Sequence, residues 1–176
     1  MKLLLTTLCL FYFSTFVFSQ SQDTIYWSAS YKLKWEDFQG KADSSSQFGA
    51  ISYPGIKYFL SANEDSFNVK VICFFIKSKS WVRVYSTIGL IHEQGHFDIA
   101  ELFARKLRKS FAEYKFNYST IGRDINQLFL TNKKERAKMD TLYDKETDFS
   151  RNRQKQQLGS KKIKEELDKL KKYSSS

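Results

Sequence analysis

The chain contains two histidines, and they stand four residues apart in His92-Glu93-Gln94-Gly95-His96. Residues i and i+4 lie one above the other on a single face of an α-helix, so an H-E-x-x-H pair acts as a pair only where the chain is helical. Two such imidazoles can bind zinc while the intervening glutamate serves as general base. The flanking sequence agrees with a helix. Ser86 or Thr87 offers a hydroxyl N-cap, and Ile88, Ile91, Ile99, Leu102, Phe103 and Leu107 recur at helical spacing. His92 and His96 fall on the stripe that continues through Ile99 and Phe103, which turns both imidazoles toward the interior. Gly95 costs a helix about 1 kcal/mol relative to Ala, so something is expected to pack closely there, a strand or a substrate backbone.

Upstream of this helix the pattern is β-like. Ile25-Tyr26-Trp27 and Tyr31 to Trp35 read as extended segments, and the polar stretch from Gly40 to Gln47 reads as a loop. Residues 50–60 and 67–76 predict two strands joined by the turn Asn63-Glu64-Asp65-Ser66. Phe67, Val69, Val71, Cys73 and Phe75 occupy one face at period two, and Pro54-Gly55 marks the first strand as bulged, short or at an edge. Downstream, Ile125, Leu128, Phe129, Met139 and Leu142 predict a helix over 124–146 with a polar centre, 131–138, that reads as a break. Ile163, Leu167 and Leu170 predict a last helix over 161–172 with a solvated, Lys-rich surface.

A catalytic zinc takes three protein ligands and keeps one position open for water, whose pKa it lowers to about 7. Glu93 follows a ligand directly and so lies beside the metal, placed to take the proton of that water. The third ligand is not a histidine, because none remains. Asp98 and Glu101 project away from His96 around the helix. Asp140, Asp144 and Asp148 line one face at i, i+4 spacing, and any of them faces either a metal or water. Asp144 is the preferred ligand, with Tyr143 as a hydrogen-bond donor to the developing oxyanion.

Residues 1–19 carry Lys2, then an apolar and hydroxyl-bearing run, then Val17-x-Ser19 before Gln20: a secretory signal peptide, with an uncleaved membrane anchor as the alternative. Cys9 follows the bulky Leu8 inside that run and is not a lipidation site. Residues 20–176 then form one domain whose sole cysteine, Cys73, sits in a strand pattern as a buried apolar residue, leaving no internal disulfide. The formal charge of +10 permits attraction to anionic surfaces, but no nucleic-acid motif accompanies it.

The ordered set Trp35-Glu36-Asp37-Phe38-Gln39-Gly40, Cys73-Phe74, Ser80-Trp81-Val82, HEQGHFDIAELFARKLR (92–108), Tyr143-Asp144-x-x-Thr147 and Gln154 resembles the bacterial secreted family catalogued as domain of unknown function 922, described as zinc-dependent proteases. The resemblance runs from about Tyr26 to Leu170. It implies a zincin-like hydrolase with His92 and His96 as ligands and Glu93 as base. Where the family pattern reads Y-D-x-x-T-x-H-G, this chain has Phe149 and Ser150 in place of the His and Gly. Asp144, Asp148, or two histidines with water then complete the site. The expected fold is α+β: an N-terminal antiparallel sheet packed on a long H-E-x-x-H helix, followed by C-terminal helices. The expected function is an exported, periplasmic or secreted, zinc-dependent metallopeptidase (hydrolase) acting on a protein or peptide. The alternative is a catalytically inactive zincin-like envelope protein that binds a partner through its basic helices.

Overall fold

The structure, a computed structural model, describes residues 23–175. The expected signal peptide at residues 1–19 lies outside the described residues. Alternation in the 67–76 segment produces β4 (Phe67–Ile76), whose Val71, Cys73 and Phe75 are buried while Asn68 and Lys70 are exposed. It is the central strand of a three-stranded antiparallel sheet of order β1-β4-β3, between β1 (Thr24–Tyr26) and β3 (Pro54–Ala62). The β3–β4 register places Ile56 opposite Cys73 and Tyr58 opposite Val71. The Asn63 side chain closes the turn by accepting from the Asp65 and Ser66 backbone N–H groups. A second antiparallel pair joins β2 (Ala50–Ile51) to β5 (Trp81–Val82).

Two expectations for this region need correction. The single strand over 50–60 is split, because Pro54 has no N–H for a continuous ladder. Between the two pieces the Tyr53 N–H donates to Ser80 Oγ and the Ser52 N–H turns to the Glu93 carboxylate. Residues 31–35 do not form a strand. Their donors go to side chains instead, Leu33 N–H to Gln94 Oε1 and Lys34 N–H to Asp37, and the chain ends the segment in a 3-10 turn at Trp35–Asp37.

Helix α1 (Thr87–Ala112) begins where the Ser86 hydroxyl accepts from the Gly89 N–H, and it is buried on two sides. Phe97, Ala100, Ala104, Leu107 and Phe111 pack on the sheet with Val71, Cys73 and Phe75. Ile99, Leu102 and Phe103 pack with Tyr143, Ile163 and Leu167 of the two later helices. Helix α2 (Ile121–Thr147) is unbroken. Its polar centre mostly faces solvent, but Asn132 donates to the Phe103 carbonyl and Arg136 to the Pro54 carbonyl, so the expected break is a helix surface. Helix α3 (Arg153–Lys169) starts eight residues earlier than expected, at an Asn152 cap that accepts from the Lys155 N–H. Ile91 and Leu142, counted among the apolar positions at helical spacing, are 44% and 49% exposed.

The described residues are thus α+β, with a small antiparallel sheet, a further two-stranded pair and three α-helices. A buried carboxylate ties its two layers together. Glu101, fully buried on α1, accepts from Arg105 at 2.9 Å and Arg108 at 3.0 Å. Arg105 also donates to the Leu167 carbonyl near the end of α3, and Arg108 donates to the carbonyls of Tyr173 and Val71. The Lys-rich face of α3 is solvated, with Lys164–Asp168 paired at i, i+4. Among the described residues no helix is long and apolar enough to cross a membrane.

Candidate metal centre

The four-residue spacing on α1 puts His92 and His96 on the side that meets α2, and the same spacing on α2 puts Asp140 and Asp144 opposite them. Asp144 Oδ1 lies 3.1 Å from His92 Nε2 and 2.9 Å from His96 Nε2, and the two Nε2 atoms are 3.3 Å apart. Zinc with bonds of about 2.0–2.1 Å in tetrahedral array holds its ligand atoms roughly 3.3–3.4 Å from one another. The triangle needs to open by only a few tenths of an ångström to receive it.

The outward nitrogens decide what the inner ones present. His96 Nδ1 is 3.0 Å from Asp140 Oδ1, an acceptor only, so that nitrogen carries hydrogen. His92 Nδ1 is 3.0 Å from Gln156 Oε1. Gln156 presents its oxygen there because its amide nitrogen is committed to the Tyr143 and Ser160 hydroxyls. Thr147 donates its hydroxyl hydrogen to the Tyr143 carbonyl and so also receives the His92 N–H, at 3.3 Å. With both Nδ1 atoms donating, neutral imidazoles direct two lone pairs at a carboxylate oxygen. Three acceptors at this separation repel unless a cation lies among them, either a proton or a metal ion. Burial works against charge on His96, but the hydrogen bonds to Asp140 and Asp144 outweigh it and push its pKa up to about 10. Burial would likewise raise Asp144, yet its hydrogen bonds with the two histidines hold it well below the usual carboxylate range. His92, His96 and Asp144 therefore form a group that could hold a metal ion.

Asp140 is fixed in turn by Arg136, whose Nε lies 3.2 Å from Asp140 Oδ2 while Nη2 donates to the Pro54 carbonyl. Glu93 projects from the neighbouring face of α1. The Ser52 N–H donates to its Oε2 at 3.0 Å, and among the described residues Oε1 has no backbone partner. Above these groups a pocket of about 640 Å³ opens, lined by the carboxylates of Glu93, Asp140 and Asp144 and by the guanidinium groups of Arg136 and Arg151. The excess of carboxylates suits a dication, although the chain as a whole is basic.

Tyr143 is placed differently from the oxyanion donor expected of it. Its ring stacks on His92 at 4.9 Å and meets His96 edge-on at 5.3 Å, while its hydroxyl points away from the pocket to Gln156. Burial raises its pKa to about 12, so it stays protonated. It also explains Gly95, where a β-carbon would overlap the Tyr143 hydroxyl. The close neighbour expected at Gly95 is this side chain and not a strand or a substrate backbone. Asp148 is not brought to the site: it caps α2 in a left-handed conformation and pairs with Arg151 at 2.7 Å.

Sequence reasoning gave no role to Gln156, Thr147, Arg136 or the Ser52 N–H. The i, i+4 spacing of Arg136 and Asp140 is a signal for one of them, and Thr147 belongs to the Tyr143-Asp144-x-x-Thr147 motif. No protein-family model, curated protein or solved structure matches the chain.

Proposed function

We propose that the chain is an exported zinc-dependent metallopeptidase with zincin-like packing, related to the secreted protease family its motifs resemble. The convergence of both Nε2 atoms on Asp144 Oδ1 within 3.3 Å, with each Nδ1 committed to another acceptor, carries this reading. His92, His96 and Asp144 would hold the ion. Zinc, when bound, polarises a carbonyl and acidifies water.

The remaining steps belong to the chain. Glu93, with Oε2 anchored on the Ser52 N–H, uses Oε1 to take a proton from the attacking water and then delivers it to the departing amine. Asp140 and Gln156 keep each imidazole in the tautomer that directs its Nε2 inward. The split between β2 and β3 delivers the Ser52 N–H, so the base is oriented by the sheet and the ligands by the helices. The apolar leader at residues 1–19 supports export to the periplasm or beyond.

Elemental analysis of the purified mature chain should find about one zinc per molecule. Glu93→Gln should retain that zinc and lose about 10²- to 10⁴-fold in peptide hydrolysis. Absence of stoichiometric metal after purification and zinc titration overturns the reading.

A further inference from the structure

Apolar side chains scattered singly on a surface need no explanation, but a set gathered around one polar pocket does. Ile51, Tyr53, Val84 and Phe149 are among the exposed large apolar residues of the chain, and all four line the pocket above His92, His96 and Asp144. Phe48 joins them. It comes from the loop before β2, and Phe149 comes from the turn between α2 and α3. Their rings meet at 5.4 Å with a 45° tilt, joining the two walls of the pocket.

Phe48 is half-buried and Phe149 exposed, and the segment that carries each is tied down by an arginine. The Arg83 guanidinium donates to the carbonyls of Ser44, Ser46 and Phe48 at 2.7–3.1 Å, which fixes the segment that carries Phe48. Phe149 is the middle of three consecutive non-glycine residues in the left-handed region, with φ of 48° at Asp148, 51° at Phe149 and 73° at Ser150. L side chains seldom adopt that conformation, and a run of three is maintained only where surrounding contacts impose it. Here Arg151 clamps Asp148 and lies over the Phe149 ring at 5.8 Å. This turn places the Phe149 ring in the pocket lining, 42% exposed.

We infer that the Phe48–Phe149 pair determines specificity, seating a large apolar side chain of the peptide whose backbone lies over the His92–His96–Asp144 group. The inference rests on the proposed peptidase reading and adds a substrate class: extended segments bearing Phe, Leu or similar residues, such as a polypeptide exposes when unfolded. An apolar side chain loses water against both rings and against Val84. A carboxylate there would lose water against the same rings and would meet Arg151 only in competition with Asp148, which already holds that guanidinium.

Fluorescein-labelled peptides of Gly and Ser with one central Phe, Ala or Asp test this in two assays. In the first, zinc-loaded Glu93→Gln protein should bind the Phe peptide roughly tenfold more tightly than the Ala or Asp peptide, and Phe48→Ala/Phe149→Ala in that background should bring the ratio near one. In the second, the kcat/KM ratio for cleavage of Phe over Ala peptides should collapse in the same double variant while zinc affinity, measured by chelator competition, stays within about twofold. Equal binding of the three peptides, or a preference that survives the double variant, overturns the inference. Selective binding without cleavage by the wild type overturns the peptidase reading and leaves the apolar site standing. Cleavage without apolar preference does the reverse, and neither binding nor cleavage of any peptide removes both.

Discussion

Asp144 Oδ1 lies within hydrogen-bond distance of two nitrogens that both present lone pairs once their other nitrogens donate outward. Without a metal, the proton on His96 holds this group together. With the His96 pKa raised from 6.5 to about 10, its ion pair stabilises the fold fully below pH 6.5, and that stability is lost as pH climbs through about 10. Zinc must displace the His96 proton, so metal affinity has the opposite slope. Chelator competition between about pH 7 and 9 should show zinc binding tightening by about tenfold per pH unit, and a flat profile would mean that no proton is released. Substitutions should separate ligand from support. Asp144→Asn removes a donor that zinc needs and should abolish stoichiometric binding, whereas Asp140→Asn or Gln156→Leu should weaken affinity about 10- to 100-fold with the donors still in place. Gly95→Ala acts by a steric route. Its methyl group meets the Tyr143 ring wedged behind both imidazoles, so it should destabilise the fold by about 1–3 kcal/mol in urea unfolding as well as weaken zinc binding.

At the scale of elements, the two halves of the site answer to different parts of the fold. Helices α1 and α2 supply the ligands, and the break between β2 and β3 supplies the donor that orients Glu93. What keeps α1 in register with α3 and β4 is the Glu101 carboxylate shared by Arg105 and Arg108, whose remaining donors reach the carbonyls of Leu167, Tyr173 and Val71. Replacing Glu101 by Leu leaves two guanidinium groups, one buried and one half-buried, without their counter-charge. A loss of about 3–5 kcal/mol is expected, read from the denaturant midpoint at unchanged m-value. A loss within experimental error would show that the two arginines do not depend on Glu101. The turn between α2 and α3 offers the converse test. Ser150 has φ of 73° and Gly suits that conformation, so Ser150→Gly should stabilise the chain by about 1 kcal/mol with no loss of zinc.

Across the whole molecule, what the sequence disclosed depended on whether a signal was local. The H-E-x-x-H pair, the Ser86 cap and the Phe67–Phe75 alternation are governed by backbone period, and each was visible before the fold was known. Helical spacing likewise put Asp140, Asp144 and Asp148 on one face, but which of them meets the imidazoles depends on how α2 packs on α1. The start of α3 was hidden because the residues it turns inward are Gln156 and Gly159, which carry no apolar signal and matter only because Tyr143 and His92 arrive from other helices. The Ser52 N–H was hidden because a backbone donor has no residue type. These same long-range partners divide the molecule unequally. The larger core, with Phe75, Phe97, Ala104 and Leu107, packs α1 on the sheet without involving the metal group. The smaller one joins Ile99, Leu102 and Phe103 to Tyr143, Ile163 and Leu167, and its Tyr143 touches both imidazoles. Zinc at about one hundred times its Kd should therefore stabilise the chain by about 2.7 kcal/mol, raising Tm by roughly 5–10 °C, and chelation should reverse the gain. Hydrogen exchange should locate the effect. Without metal, amides in the C-terminal half of α2 and the first turns of α3 should exchange faster, while those of β3 and β4 keep their protection. Equal loss of protection in sheet and helices would mean that the metal group supports the entire fold, contrary to the division between the two cores.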